Sequence, residues 1–255
     1  LDGGPFTGQN AMKAGLIDKL IFEDEITADF RTAKKIGGRD YSKVTLSGFE
    51  GGTRIAIVTG DGEITRGSTN ASPTDSGITS SGMLSVLKRV EEDNEIKGVI
   101  LRVDSPGGDA IASDDILHEV KVLSAKKPVV ISMSDLAASG GYFIAMTGDP
   151  IVAYSNTLTG SIGVFFGRAN VQGLLDKIGV KNQSLSRGKF ANIDTPFGPL
   201  KPEERTKLRS EIEVFYKGFV ERVASSRKRK YDEIEPLAQG RVWLGAQAKQ
   251  NGLVD

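Results

Sequence analysis

Apolar positions along this chain follow two periods in turn. Short β-branched runs recur at Arg54–Gly60 (RIAIVTG), Lys97–Asp104 (KGVILRVD) and Pro128–Ser134 (PVVISMS), each about the length of a strand. Between them, apolar residues are spaced three and four apart. In Gly82–Ile96 this spacing puts Met83, Val86, Leu87 and Val90 on one helical face, and Ile111–Lys127 also reads as a helix. Further on, the pattern predicts a small-residue helix from Ser139, a strand at Pro150–Ser155 and a helix at Val171–Val180. A long amphipathic helix is predicted over Leu200–Ser226, with Pro202 in its first turn. Strand and helix in alternation predict an α/β fold on a parallel sheet with right-handed crossovers. Because the strands are apolar without strict alternation, a sheet covered on both faces is expected.

The same patterning exposes a repeat. Residues Gly8–Asp18 read GQNAMKAGLID and residues Gly245–Asp255 read GAQAKQNGLVD. Gly8/Gly245, Ala11/Ala248, Gly15/Gly252, Leu16/Leu253 and Asp18/Asp255 coincide. Both read as a short helix stopped by glycine, followed by an apolar exit. The second copy closes a large unit, whereas the first has nothing before it to close. Residues 1–27 are therefore expected to be the tail of a preceding, similar unit. Residues 28–53, polar and punctuated by Gly37-Gly38 and Gly51-Gly52, read as a linker, and 54–255 as the complete domain.

Composition narrows the function. Lys+Arg and Asp+Glu both number 33, so no net charge draws the chain to nucleic acid or an anionic membrane. The basic patch Ser225–Lys230 (SSRKRK) reads as a solvated helix end. With no cysteine, disulfides, thiolate metal sites and a cysteine nucleophile are excluded. No apolar run approaches the roughly 18 residues of a membrane span. The chain opens on Leu1 rather than Met, which reads as a processed or truncated product.

In open parallel sheets, ligands bind beyond the carboxyl ends of the strands. Two glycine-rich turns fall there. In VDSPGGDA (Val103–Ala110), Gly107-Gly108 lets backbone N–H groups face a cavity, as an oxyanion site requires; ordinary turn punctuation is the bland alternative. In SDLAASGGYFIAM (Ser134–Met146), Ser139 precedes Gly140-Gly141 and an apolar helix whose dipole favours negative charge at its start. The competing role for Ser139 is a simple N-cap. A third stretch, TLTGSIGVFF (Thr157–Phe166), carries Gly160, Ser161 and Gly163; it reads either as lining the same cleft or as a tight turn into a strand.

DSPGGDA, MSDLAASGGY, TLTGSIGV and QGRVW-x-G-x-x-A, in this order, resemble the signal peptide peptidase A (protease IV) family. These are membrane-bound serine peptidases of the ClpP/crotonase fold, a ββα-superhelix. The resemblance implies Ser139 as nucleophile, Gly107, Gly108 and Gly140 as the oxyanion-hole region, Gly160 and Ser161 in the substrate cleft, and no metal or cofactor. It also implies a homo-oligomeric ring, peptide substrates such as remnant signal peptides, no nucleic-acid partner, and attachment on the extracytoplasmic face of a membrane (periplasm, thylakoid or plasma membrane).

A serine needs a base within hydrogen-bond reach. The only histidine, His118, sits in a helical run and reads as a helix-side residue. The family uses a lysine instead. Its single-unit members place that lysine in a G-x-x-K pattern, which on GKFAN (Gly188–Asn192) falls on Ala191. Lys189, two residues earlier, shares the side-chain period but lies about 7 Å away along an extended chain. In tandem members of the family the first unit supplies the lysine and the second the serine. The lysine partner of Ser139 is thus expected in the N-terminal unit of the same protein, outside this chain, with Lys189 as the alternative within it. Two other readings stand beside this one: an acyl-CoA enzyme of the crotonase branch, and a non-catalytic assembly unit.

Overall fold

A computed structural model describes residues 8–19, 52–67 and 77–255. The chain divides into two compact units, Leu1–Gly52 and Thr53–Asp255. All but the last two residues of the expected linker lie outside the described residues.

The first unit contributes helix α1 (Gly8–Lys13). It stops at Gly15, which takes φ +68°, where a Cβ is disfavoured. The Gly15 N–H donates to the Met12 carbonyl (3.1 Å) and the Leu16 N–H to the Ala11 carbonyl (2.9 Å).

The second unit is built on a six-stranded sheet. Its strands are β1 (Arg54–Asp61), β4 (Ile96–Ser105), β5 (Val129–Ala138), β7 (Leu158–Gly160) and β8 (Val242–Leu244) in spatial order, with β6 (Ile151–Val152) pairing β5. All pairs are parallel except β7–β8. Short strands β2 (Ile64–Thr65) and β3 (Ile78–Thr79) form a separate parallel pair. Helices α2 (Ser80–Glu92) and α3 (Ala110–Ser124) supply the crossovers. Val58, Leu101, Ile131 and Ile151 line up across four strands and are all buried under these helices.

Among the described residues the expected double cover is incomplete. Burial alternates from Val99 to Ser105 along β4, and among the described residues the second face is only partly covered: in the row Ile57–Ile100–Val130, Ile57 is 68 % exposed and Ile100 and Val130 are half-buried. The reason the pattern hid this is chemical. That face is itself largely β-branched, so both residue parities read as apolar.

Beyond β5 the chain makes a single-turn helix α4 (Gly140–Phe143), far shorter than the helix expected from Ser139. Helix α5 (Gln172–Lys177) follows, then α6 (Pro202–Ser226), where Pro202 opens the helix and Glu204 accepts from the Lys201 N–H (2.9 Å). After α7 (Tyr231–Ile234) and β8, helix α8 (Gly245–Gln250) ends the unit. Its stop repeats that of α1: Gly252 has φ +72°, its N–H donates to Lys249 (3.0 Å), and the Leu253 N–H donates to Ala248 (2.8 Å).

Candidate active site

Strands β4 and β5 are neighbours, so the turns that leave them, Pro106–Asp109 and Ser139–Gly140, are brought together by the sheet itself. They touch closely. A Cβ on Gly107 would lie 2.5 Å from the Gly140 nitrogen and 2.8 Å from the Ser139 Cβ. One on Gly108 would lie 2.1 Å from the Ile64 carbonyl oxygen, and one on Gly140 would meet the Ser113 Oγ at 2.7 Å. Gly107 and Gly108 are required because backbone packs on backbone, and Gly140 because the Ser113 side chain packs against it.

Their amides are not equivalent. The Gly107 N–H donates to the buried Ser105 Oγ (3.1 Å). Ile64 on β2 donates to the Gly107 carbonyl and accepts from the Asp109 N–H, both at 2.8 Å. In a parallel bridge this pattern turns the amide of the intervening residue the other way. The Gly108 N–H thus points away from β2, toward the Gly140 side, where a Gly140 Cβ would come within 3.1 Å of its nitrogen.

Ser139 sits between β5 and α4 with φ +52° and ψ −119°, a conformation non-glycine residues avoid. Its N–H donates to the Gly160 carbonyl (2.9 Å) and its carbonyl accepts from the Phe143 N–H (2.8 Å), which hold the backbone there. The hydroxyl makes no capping bond, so the N-cap alternative is not what the geometry displays.

Ser139, Gly108 and Gly140 open into a cleft of about 1180 Å³. One wall is α6, whose row Leu208, Ile212, Phe215, Phe219 and Arg222 at three- and four-residue spacing is flanked by the charged Glu211, Lys217 and Glu221. Phe143 adds a floor, packed edge-on to Phe219 with ring centroids 4.9 Å apart. The Arg222 guanidinium lies 5.3 Å from the Phe143 ring centre and donates to Asp114 (2.8 Å). At the mouth, Arg66 Nε donates to Asp109 Oδ1 (2.8 Å), which also caps α3 through the Ile111 and Ala112 N–H groups. Burial pushes the Asp109 carboxyl up, but the Arg66 bond and the two backbone donors outweigh it and hold it below the ordinary carboxylate range.

Gly160 and Ser161 do not line this cleft. Gly160 backs the Ser139 turn, and Ser161, at φ +49°, donates its N–H to the Arg241 carbonyl (2.7 Å). The cleft is reached instead by the next residues, Gly163–Phe166. Strand β7 ends at Gly160, and the left-handed turn at Gly160 and Ser161 redirects the chain, so strand parity does not tell which residues of this segment face the cleft.

His118 is exposed on α3 and away from the cleft. Lys189 is exposed as well; its ammonium lies 5.3 Å from its neighbour Phe190's ring centre, outside the residues that line the cleft. Among the described residues one lysine reaches the cleft, Lys217 on α6, which no motif flagged. Its side chain is 66 % exposed and 3.8 Å from Glu221, the opposite of the dry setting a neutral lysine base requires. Ser105, Ser113, Asp109 and Arg66 were also missed. Of these, only Asp109 carried a signal, as an Asp at the start of a helix. The described residues contain no His/Cys/Asp/Glu cluster fit for a metal, and none of their helices is long and apolar enough to cross a membrane.

Comparison with known proteins agrees with this architecture. The chain is 38 % identical over 268 residues to "Serine protease SPPA, chloroplastic" of Arabidopsis thaliana, matching all of this chain and 40 % of that protein. It is 41 % identical over 203 residues to "Protease 4" of Haemophilus influenzae, matching 79 % of this chain and 32 % of that protein. The chain thus spans under half the length of these relatives. A point mutant of ClpP1 from Listeria monocytogenes has the same fold, with a TM-score of 0.50 at 16 % identity, over 79 % of this chain and 89 % of that one. A Clp protease family model matches residues 71–159. The model for Peptidase family S49 matches residues 121–255, more than half of the sequence, and the chain accordingly belongs to that family of serine peptidases.

Proposed function

We propose that this chain is the nucleophile-bearing half of a serine endopeptidase whose base comes from a preceding unit. The observation that carries the reading is Ser139: a strained hydroxyl presented to an apolar cleft beside two glycine amides, with no dry lysine or imidazole of the described residues lining that cleft. In the reaction, Ser139 Oγ attacks the scissile carbonyl carbon and its proton passes to a neutral lysine amine of the preceding unit. The N–H groups of Gly108 and Gly140 receive the negative charge that grows on the carbonyl oxygen. The lysine then protonates the departing amine, and water releases the acyl group by the reverse steps. Gly107 serves by lacking a side chain, since its own N–H is engaged by Ser105. A crotonase-type enzyme would have no use for the strain at Ser139.

The recurrence of the α8 stop at α1 supports residues 1–27 as the closing segment of the preceding unit, and 54–255 as the domain. The apolar α6 wall fits extended hydrophobic peptides such as remnant signal peptides. Assembly into a ring at a membrane surface follows the family pattern.

The test compares the whole protein with this chain alone. A fluorophosphonate probe should label Ser139 in the whole protein, and Ser139→Ala should abolish labelling and peptide hydrolysis. This chain alone should react at least about a hundredfold more slowly, since a positioned base contributes roughly 10²–10⁴. Equal labelling rates for the chain and the whole protein would place the base within this unit and overturn the split site.

A further inference from the structure

We propose that residues Gly252–Asp255 form a latch that sets the nucleophile turn against the α6 wall of the cleft, with Tyr142 as the positioning residue; the catalytic consequence rests on Ser139 being the nucleophile. Tyr142 lies three residues after Ser139, in the single-turn helix that Ser139 precedes, and is fully buried. Its hydroxyl donates to the Leu253 carbonyl at 2.7 Å. Burial raises the phenol's pKa far above neutrality, so it stays a donor at every working pH.

The latch is fastened on two further sides. Asp255 donates its N–H to the Ile151 carbonyl (2.9 Å) and accepts the Ile151 N–H on Oδ2 (2.8 Å), which binds it to β6. Arg227, at the end of α6, reaches it with a fork: Nε donates to the Gly252 carbonyl (2.9 Å), and the two terminal nitrogens donate to the Asp255 carboxylate (3.0 and 2.7 Å). One short segment therefore joins the helix that carries the nucleophile to the helix that forms the facing wall. Both cleft surfaces are referenced to it, and a shift of an ångström at this junction misplaces Ser139 relative to a bound peptide.

The segment at Gly8–Asp18 separates the latch's own fold from its seating. It has the same helix, the same left-handed glycine and the same pair of backbone bonds. Yet Leu16 and Ile17 are 52 % and 38 % exposed, where Leu253 and Val254 are 0 % and 5 %. The helix-and-stop geometry is local; the burial comes from a socket, and in this unit Tyr142 is part of that socket.

The experiment uses the whole protein and Tyr142→Phe, which keeps the ring and removes only the donor. Hydrogen exchange of the peptide spanning 139–146 should quicken about tenfold or more, while exchange in α2 stays unchanged. On an unfolded protein substrate, kcat and the fluorophosphonate labelling rate should fall about tenfold with KM within about twofold, measured well below Tm. Arg227→Lys should retain more activity than Arg227→Met, because one fastening survives. Unchanged exchange over 139–146 would overturn the latch, as would a lowered Tm with kcat intact. Activity that survives Ser139→Ala would overturn the nucleophile reading alone, since the exchange measurement does not depend on it.

Discussion

Ser139 occupies backbone angles that glycine tolerates and serine does not, and this strain is stored at the point where the chemistry is proposed. Ser139→Gly should therefore raise stability by about 1 kcal/mol while removing activity, whereas Ser139→Ala, still strained, should leave Tm nearly unchanged; thermal denaturation of both variants checks this. At Gly140 the obstacle is a neighbour rather than the backbone, because its φ is not positive and the Ser113 Oγ stands 2.7 Å from the place an added methyl would take. Gly140→Ala should cost about 1–3 kcal/mol, and adding Ser113→Ala should restore part of it, as read from urea midpoints. The motifs DSPGGDA and SGGY were legible because only glycine permits such close backbone approach. Ser113 and Ser105 were not, since an isolated serine carries no mark of what it will touch.

Among the helices, α6 was plain in the sequence by its period and its opening proline, but its task was not. Its carboxyl half buries Phe219, Val220 and Val223 in the core. Its amino half turns the same apolar face to the cleft, leaving Phe215 half exposed. An amphipathic stripe states that a face needs cover, not whether a core or a substrate supplies it. Before it lies Gly188–Asn192, where the lysine pattern fell, and Lys189 is not among the residues that line the cleft. Lys189→Ala in the whole protein should leave kcat/KM within about twofold in a peptide hydrolysis assay.

At the level of the whole unit, charge pairs and a partly covered sheet face make two further expectations. The Arg227 hydrogen bond holds the Asp255 carboxyl below its ordinary 3.8, and Asp109 is likewise depressed. A carboxyl whose folded pKa is lowered stabilises above the unfolded value and loses that contribution as pH falls through the folded one. Tm should thus be flat from neutrality to about pH 5 and fall below about 4, with Asp255→Asn flattening the acid limb; each partly exposed pair contributes about 1 kcal/mol or less. Calorimetry across pH decides it. Ile55 and Ile57, exposed among the described residues, are an aggregation hazard for the isolated chain. Ile57→Lys should leave Tm nearly unchanged and lower light scattering at high concentration.

The amino-acid order by itself determined the α/β class, the alternation of the main strands and helices from Arg54 to Lys127, the two glycine turns, the serine that precedes the second of them and the repeated helix stop. All of these depend on local spacing or on residues that only a few backbone conformations accept. Folding in three dimensions decided that among the described residues one sheet face is only partly covered, that Gly160 holds the Ser139 turn from behind, that Lys189 stands outside the cleft lining, and that Tyr142 meets Leu253. Each of those depends on which strands pair and in what register, and that is settled by the free energy of the whole packed unit rather than by any short stretch of it.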